Sequence, residues 1–331
     1  MTPRHIYIKS ATQISMQQPL SEAWLSSPES GARSEERGAR SEIAGSYVRS
    51  IDPDFRQWFT PLQSRRMGKL LKRALATALT AIERSAISQP DAIITGTGIG
   101  CIESTEQFLN QLCRDGETLL QPTSFMQSTH NTVSSLIAIH TRQHGYNTTY
   151  SHKAVSFDMA LLDAFTQLRL GDISSALVTG NDELSPSYFR ILQRAGFVGQ
   201  PGQVAAGEVS MAMMLTTDPA DTLCEVESVS MSCRQLQSLS LPPVAGVDML
   251  VVGTNGLPAN DAPYRHVASL YPGVAWLAYK QLFGESYSAS AVGVYAAAHL
   301  LHSRRAGRVL FVNHSDDRNA SLVVLKSVQQ P

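Results

Sequence analysis

Two stretches of this chain spell out the same structural order at nearly the same spacing: MALLDAFTQLRLGDISSALVTGND (159–182) and VYAAAHLLHSRRAGRVLFVNHSDD (294–317). Each reads as an apolar-periodic helix, a turn holding a glycine, an apolar strand and a polar turn. Each is followed by a further strand, GEVSMAMMLTT (207–217) and NASLVVLKS (319–327). A repeated supersecondary unit constrains a fold more than any local propensity, because each copy needs a neighbour against which to bury its apolar face. The sequence therefore predicts a duplicated α/β protein, with one half over residues 1–220 and a shorter one over 221–331.

The intervening segments agree with that class. A helix is expected over 61–85, with Leu70, Leu71, Ala74, Leu75 and Leu79 on one face. DAIITGTG (91–98) reads as a buried strand, and ESTEQFLNQLCRDG (103–116) as a helix ended by glycine. A helix runs through Ile137 and Ile139, and SSALVTG (174–180) is a strand followed by a polar turn at Asn181, Asp182 and Glu183. Alternation of this kind implies a mainly parallel sheet covered by helices on both faces. An early strand over 5–9 leads into SSPESGARSEERGARSE (26–42), whose GARSE repeat cannot bury apolar surface and which is expected to be a solvated loop.

Charge and cysteine usage exclude several functions. With 27 basic against 28 acidic residues, dispersed along the chain, counterion-release binding to nucleic acid is not expected. Cys101, Cys113, Cys224 and Cys233 form no Cys-x-x-Cys pair and read as reduced thiols, so no metal site and no cofactor is expected. No run approaches the roughly 18 apolar residues of a membrane span, and the expectation is a cytoplasmic protein. GTGIG (96–100) follows a strand, but no acidic residue closes a second strand about 20 residues later, so the glycines read as close strand-to-helix packing rather than a dinucleotide loop. Asp316 and Asp317 read as a polar turn.

YSHKAVSFDMALLDA (150–164) passes from a strand into a helix, the junction where many enzymes seat a nucleophile against free backbone N–H groups. Its tip holds Lys153, Ala154 and Val155, none of which is a thiol or hydroxyl.

Four segments resemble the β-ketoacyl synthases of the thiolase-like fold: GTGIGCIESTEQFL (96–109), MQSTHNTVSSLIAIHTRQHGYNTTYS (126–151), GTNGLPAND (253–261) and DDRNASLVVLK (316–326). The resemblance implies duplicated βαβαβαββ halves layered α/β/α/β/α. It also implies a cysteine nucleophile, two histidines and a gating phenylalanine. In this chain the nucleophile position falls on Ala154, the first histidine on Gly253, the second on Tyr287 or Ser286, and the gate near Ser315, beside Asp316 and Asp317. Nucleophile, histidines and gate are thus lost together.

The resemblance then implies a catalytically impaired, chain-length-factor-type subunit. It would pair with an active ketosynthase, or with itself, in polyketide or fatty-acid-type biosynthesis, the STHNT segment being most similar to aryl-polyene and flexirubin-type subunits. Cys101, His130, Ala154, Phe157, Asn255 and Tyr287 are the expected pocket residues, with Asn131 or Thr132 capping the helix after His130. Arg65, Arg66 and Lys69, in a basic stripe with Lys72 and Arg73, either form a solvated face or steer an acyl carrier protein. Two alternatives stay open. One is an enzyme, an acyltransferase of the 3-oxoacyl-acyl-carrier-protein synthase type or a hydrolase, using Cys101 with His130 as base, or Ser151 or Ser156. The other is a homodimer that holds an acyl or aromatic ligand without turnover.

Overall fold

The computed structural model describes residues 4–26, 46–65, 67–120, 122–234, 236, 239–315 and 318–328. The expected loop at 26–42 lies, apart from Ser26, outside the described residues, as do Arg66, Asp316 and Asp317. In chain order the first half holds β1 (Ile6–Ile14), α1 (Pro61–Arg65), α2 (Lys69–Ser85), β2 (Ala92–Gly96), α3 (Ile102–Asp115), α4 (Pro122–Ser128), α5 (Thr132–Thr141), β3 (Tyr146–Tyr150), α6 (Ser156–Leu170), β4 (Ser175–Asp182), α7 (Pro186–Arg194) and β5 (Val209–Thr216). The second holds β6 (Cys224–Ser232), β7 (Met249–Val252), α8 (Pro258–Ser269), β8 (Ala275–Ala278), α9 (Tyr279–Phe283), α10 (Ala289–His302), β9 (Arg308–Ser315) and β10 (Asn319–Lys326).

The strands lie in the order β3-β2-β4-β5-β1-β6-β10-β9-β7-β8. Counted within each half, both runs are third-second-fourth-fifth-first, and in both the second strand pairs parallel to the third and fourth. The fifth strand is antiparallel to the first and fourth in each. The duplication seen in the sequence is thus a duplication of topology. The halves meet edge to edge through β1 and β6 over three residue pairs, Ile6 to Val226, Tyr7 to Glu225 and Ile8 to Cys224.

Side-chain alternation along the strands explains the layers. Ile94, Val178, Met211, Met213, Val251, Phe311 and Val323 point into a central core that also takes Phe157, Leu161, Phe165 and Leu168 of α6 and Val292, Tyr295 and Leu300 of α10. Their neighbours Ile93, Leu177, Ala212 and Met214 point the other way, onto α2 and α5. Leu250, Val252, Leu310 and Leu322 point outward onto α8 and Leu236. The helices α6 and α10 therefore form a middle layer between two sheet units, each covered on its outer face, giving α/β/α/β/α. Buried on both sides, these strands carry continuous apolar runs.

Three local expectations need correction. The helix expected over 61–85 breaks into α1 and α2, because Gly68 takes an extended conformation (φ −62°, ψ 168°) as the N-cap of α2. Asn131 occupies the N-cap of α5 but its side chain makes no capping bond, and the Thr132 hydroxyl instead donates back to the Met126 carbonyl. Asn181 and Asp182 do not belong to the expected polar turn: both continue β4 and are buried. Among the described residues, no helix is long and apolar enough to cross a membrane.

Candidate functional site

The carboxyl ends of the parallel strands from both halves converge on one cavity of ≈ 460 Å³, the usual location for a ligand in sheets of this kind. β2 delivers the loop after Gly96, and β4 delivers Asp182 and Glu183. β3 delivers the junction before α6, β7 delivers Asn255, and β9 delivers His314 and Ser315. Leu184, Leu192, Phe197, Val198 and Leu257 make an apolar wall.

Close backbone approach sets this arrangement. A β carbon at Gly96 would stand 2.4 Å from the Phe157 backbone, so glycine lets the end of β2 lie against the first turn of α6. The junction is a tight turn over Lys153–Val155 in which Lys153 holds a φ of 49°, a left-handed conformation costing about 1 kcal/mol for a residue with a β carbon. Ser156 closes it, accepting from His152 N–H at 2.7 Å and donating to the Lys153 carbonyl at 2.7 Å.

Asp182 organises one rim. Its carboxylate accepts the backbone N–H groups of Gly98 (2.9 Å), Ile99 (2.8 Å) and Gly100 (3.0 Å) and the hydroxyls of Thr97 (2.9 Å) and Ser288 (2.5 Å). Burial raises its pKa, while these donors oppose the shift. Glu183 accepts from the amides of Glu103 (3.0 Å) and Leu70 (3.3 Å), but burial outweighs them and its pKa is pushed up to about 7.

An ion pair lines the opposite rim. Lys280, 4% exposed, places Nζ 3.0 Å from Glu285 Oε2, which also accepts from Asn255 Nδ2 at 2.6 Å. Burial opposes the Lys280 charge, yet Glu285 and the neighbouring Tyr264 and Asp261 raise its pKa overall. Backbone bonds fix Glu285 in place: its N–H donates to the Ala205 carbonyl and its carbonyl accepts from Gly207, each at 2.8 Å. Beneath the junction, Asn313 Nδ2 donates to the Ala154 carbonyl and to Asp158, each at 3.0 Å, and Asn313 Oδ1 accepts from Tyr279 (3.2 Å) and Tyr264 (3.4 Å).

A family model described as "Beta-ketoacyl synthase, N-terminal domain" matches residues 44–242. The chain belongs to the β-ketoacyl synthase family. No curated protein matches the sequence. Similar solved structures include "AntDE:AntF (apo): type II PKS acyl-carrier protein in complex with its ketosynthase bound to the hexaketide", at TM-score 0.80 and 9% identity over 99% of this chain and 100% of that one. The ishigamide ketosynthase/chain length factor follows at TM-score 0.76 and 17% identity, covering 99% and 100%. The ketosynthase ApeO in complex with its chain length factor ApeC, from Xenorhabdus doucetiae, gives TM-score 0.73 and 14% identity over 98% of each chain. At these identities the likeness speaks to the fold.

Of the positions that the family resemblance singled out, Ala154, Asn255, Tyr287 and Ser315 border the cavity. Gly253 lies behind it: a β carbon there would meet the hydroxyls of Tyr264 at 2.5 Å and Tyr279 at 2.6 Å, so the space for a side chain is taken. Phe157 is not a pocket residue, because α6 turns it wholly into the central core. Cys101 is not one either. It is 2% exposed in the outer-face core, and burial, with Glu183 and Asp182 nearby, pushes its thiol up, the reverse of an activated nucleophile. His130 is exposed beside Gly100 and outside the cavity. The alternative nucleophiles fare no better: Ser156 is buried with its hydroxyl engaged in the turn, and Ser151 does not line the cavity.

The basic stripe is also not uniformly solvated. Arg73 is 2% exposed and bonds Asp52 (2.5 Å) and Glu208 (2.8 Å), whereas Arg65 is exposed and Lys69 reaches Glu103 at 3.3 Å. No group of three or more metal-ligating side chains is found among the described residues. Sequence reasoning missed Lys280 and Glu285. Their spacing within YKQLFGE carries no periodic signal, and Glu285 is held by a distant segment, through Ala205, Ala206 and Gly207.

Proposed function

We propose that this chain is a catalytically impaired ketosynthase-like subunit of the chain-length-factor type. It pairs with an active ketosynthase in polyketide or aryl-polyene-type biosynthesis and shapes the cavity in which an acyl chain sits. The observation that carries the reading is the junction itself: the strand-to-helix turn is intact, but it presents the methyl group of Ala154, and the tyrosine hydroxyls fill the space beside Gly253. The solved ketosynthase–chain length factor complexes with this fold support the assembly part. The aryl-polyene assignment rests on the STHNT segment.

The open edge of β3 is the proposed contact with the partner, and Arg65, Arg66 and Lys69 the proposed contact with an acyl carrier protein, a partner seen with the AntDE ketosynthase. Sedimentation of the chain alone and co-expressed with an intact synthase tests the assembly. A one-to-one complex is expected, and two species that sediment independently contradict the reading.

A further inference from the structure

The charged groups of the cavity do not fit an anion. Its lining includes two lysines, Lys153 and Lys280, against three carboxylates, Asp182, Glu183 and Glu285. With the three carboxylates ionised they outnumber the two lysines. Lys280, the buried cation, is already matched by Glu285 at 3.0 Å. A carboxylate entering this space would lose its hydration and meet a cation whose charge is already balanced, a combination that disfavours its binding.

The same pair suits a different ligand. Lys280 has more N–H donors than its one bond to Glu285 uses, and Glu285 takes both Lys280 and Asn255 on Oε2, leaving Oε1 outside these bonds. A donor and an acceptor side by side match a neutral head group that both accepts and donates, such as a carboxamide, and the apolar wall matches a hydrocarbon body. We infer that the Lys280–Glu285 pair makes this cavity selective for neutral amphipathic ligands and excludes acyl chains or extender units that end in a free carboxylate. The inference rests on the reading of the cavity as an acyl-binding space without turnover, and it makes Glu285 the residue that sets the ligand class.

Isothermal titration of the full chain with octanamide and with octanoate, at mildly alkaline pH, tests it. Octanamide is expected to bind at least about tenfold more tightly, a difference of roughly 1.4 kcal/mol. Glu285→Gln releases Lys280 from its counter-charge and weakens the acceptor for an amide, so the preference is expected to move toward octanoate, its affinity rising by about tenfold or more relative to that of octanamide. Equal affinities in the unsubstituted chain, or no binding of octanamide at millimolar concentration, overturn the inference whether or not the variant folds. Neither ligand can be transferred and no partner is present, so the outcome is independent of the tests of assembly and of lost catalysis.

Discussion

Glu183 ties stability to pH. Its ordinary pKa of 4.5 is pushed up to about 7 by burial. Between those values the folded chain holds a proton that the unfolded chain has released, so stability is whole below the window and falls as pH rises through it. The full loss amounts to about 3 kcal/mol. Glu183→Gln is expected to flatten the plot of urea midpoint against pH across this window; an unchanged slope contradicts the assignment.

Ala154→Cys would place a sulfur in open cavity space, so the melting temperature is expected to stay within about 2 °C. With Lys153 and Lys280 set against Asp182, Glu183 and Glu285 in the lining, the cavity carries no net positive charge to favour a thiolate, so iodoacetamide labelling is expected to be slow. Fast labelling would mean that an activating field survives. Gly253→His behaves differently. It must displace Tyr264 and Tyr279 from Asn313, and a loss of roughly 1–3 kcal/mol is expected in thermal unfolding.

At the level of elements, the end of β4 and the loop after β2 form one unit, because the Asp182 carboxylate collects three consecutive amides of that loop. Asp182→Ala leaves those donors facing the cavity, and a loss of about 3 kcal/mol is expected in urea titration, with faster hydrogen exchange at residues 98–100. Unchanged exchange there contradicts the role. The elements themselves were largely legible in the sequence, since apolar runs and glycine stops mark β2, β4, β5, α3 and α6 directly. What escaped was decided by distant chain. Asp182 looked like a turn residue because its partners include Gly98 and Ser288, and Arg73 looked solvated because Asp52 and Glu208 cover it. The break before Lys69 is marked in the sequence by Gly68, against the apolar periodicity on either side of it.

For the whole molecule, the duplication could be read because both halves kept the same order of helix, turn and strand. The cavity between them could be read only in part, since Ala154 follows from a motif whereas Lys280 and Glu285 follow from packing. Among the described residues β3 ends the sheet with one edge unpaired, and Ile139 (75% exposed) and Tyr146 (42%) stand nearby on α5 and β3. An open edge beside exposed apolar side chains favours pairing with another chain. Ile139→Glu is expected to leave the stability of the isolated chain within about 0.5 kcal/mol and to abolish co-purification with a co-expressed ketosynthase. Retained co-purification places the contact elsewhere.

The loss of covalent chemistry at Ala154 is tested most directly by intact-mass measurement of the purified chain after incubation with an acylated carrier protein. The account predicts an unmodified mass for this chain, with the acyl group appearing only on the cysteine of an added active ketosynthase. A stable acyl adduct on this chain, on Cys101 or any other residue, would contradict it.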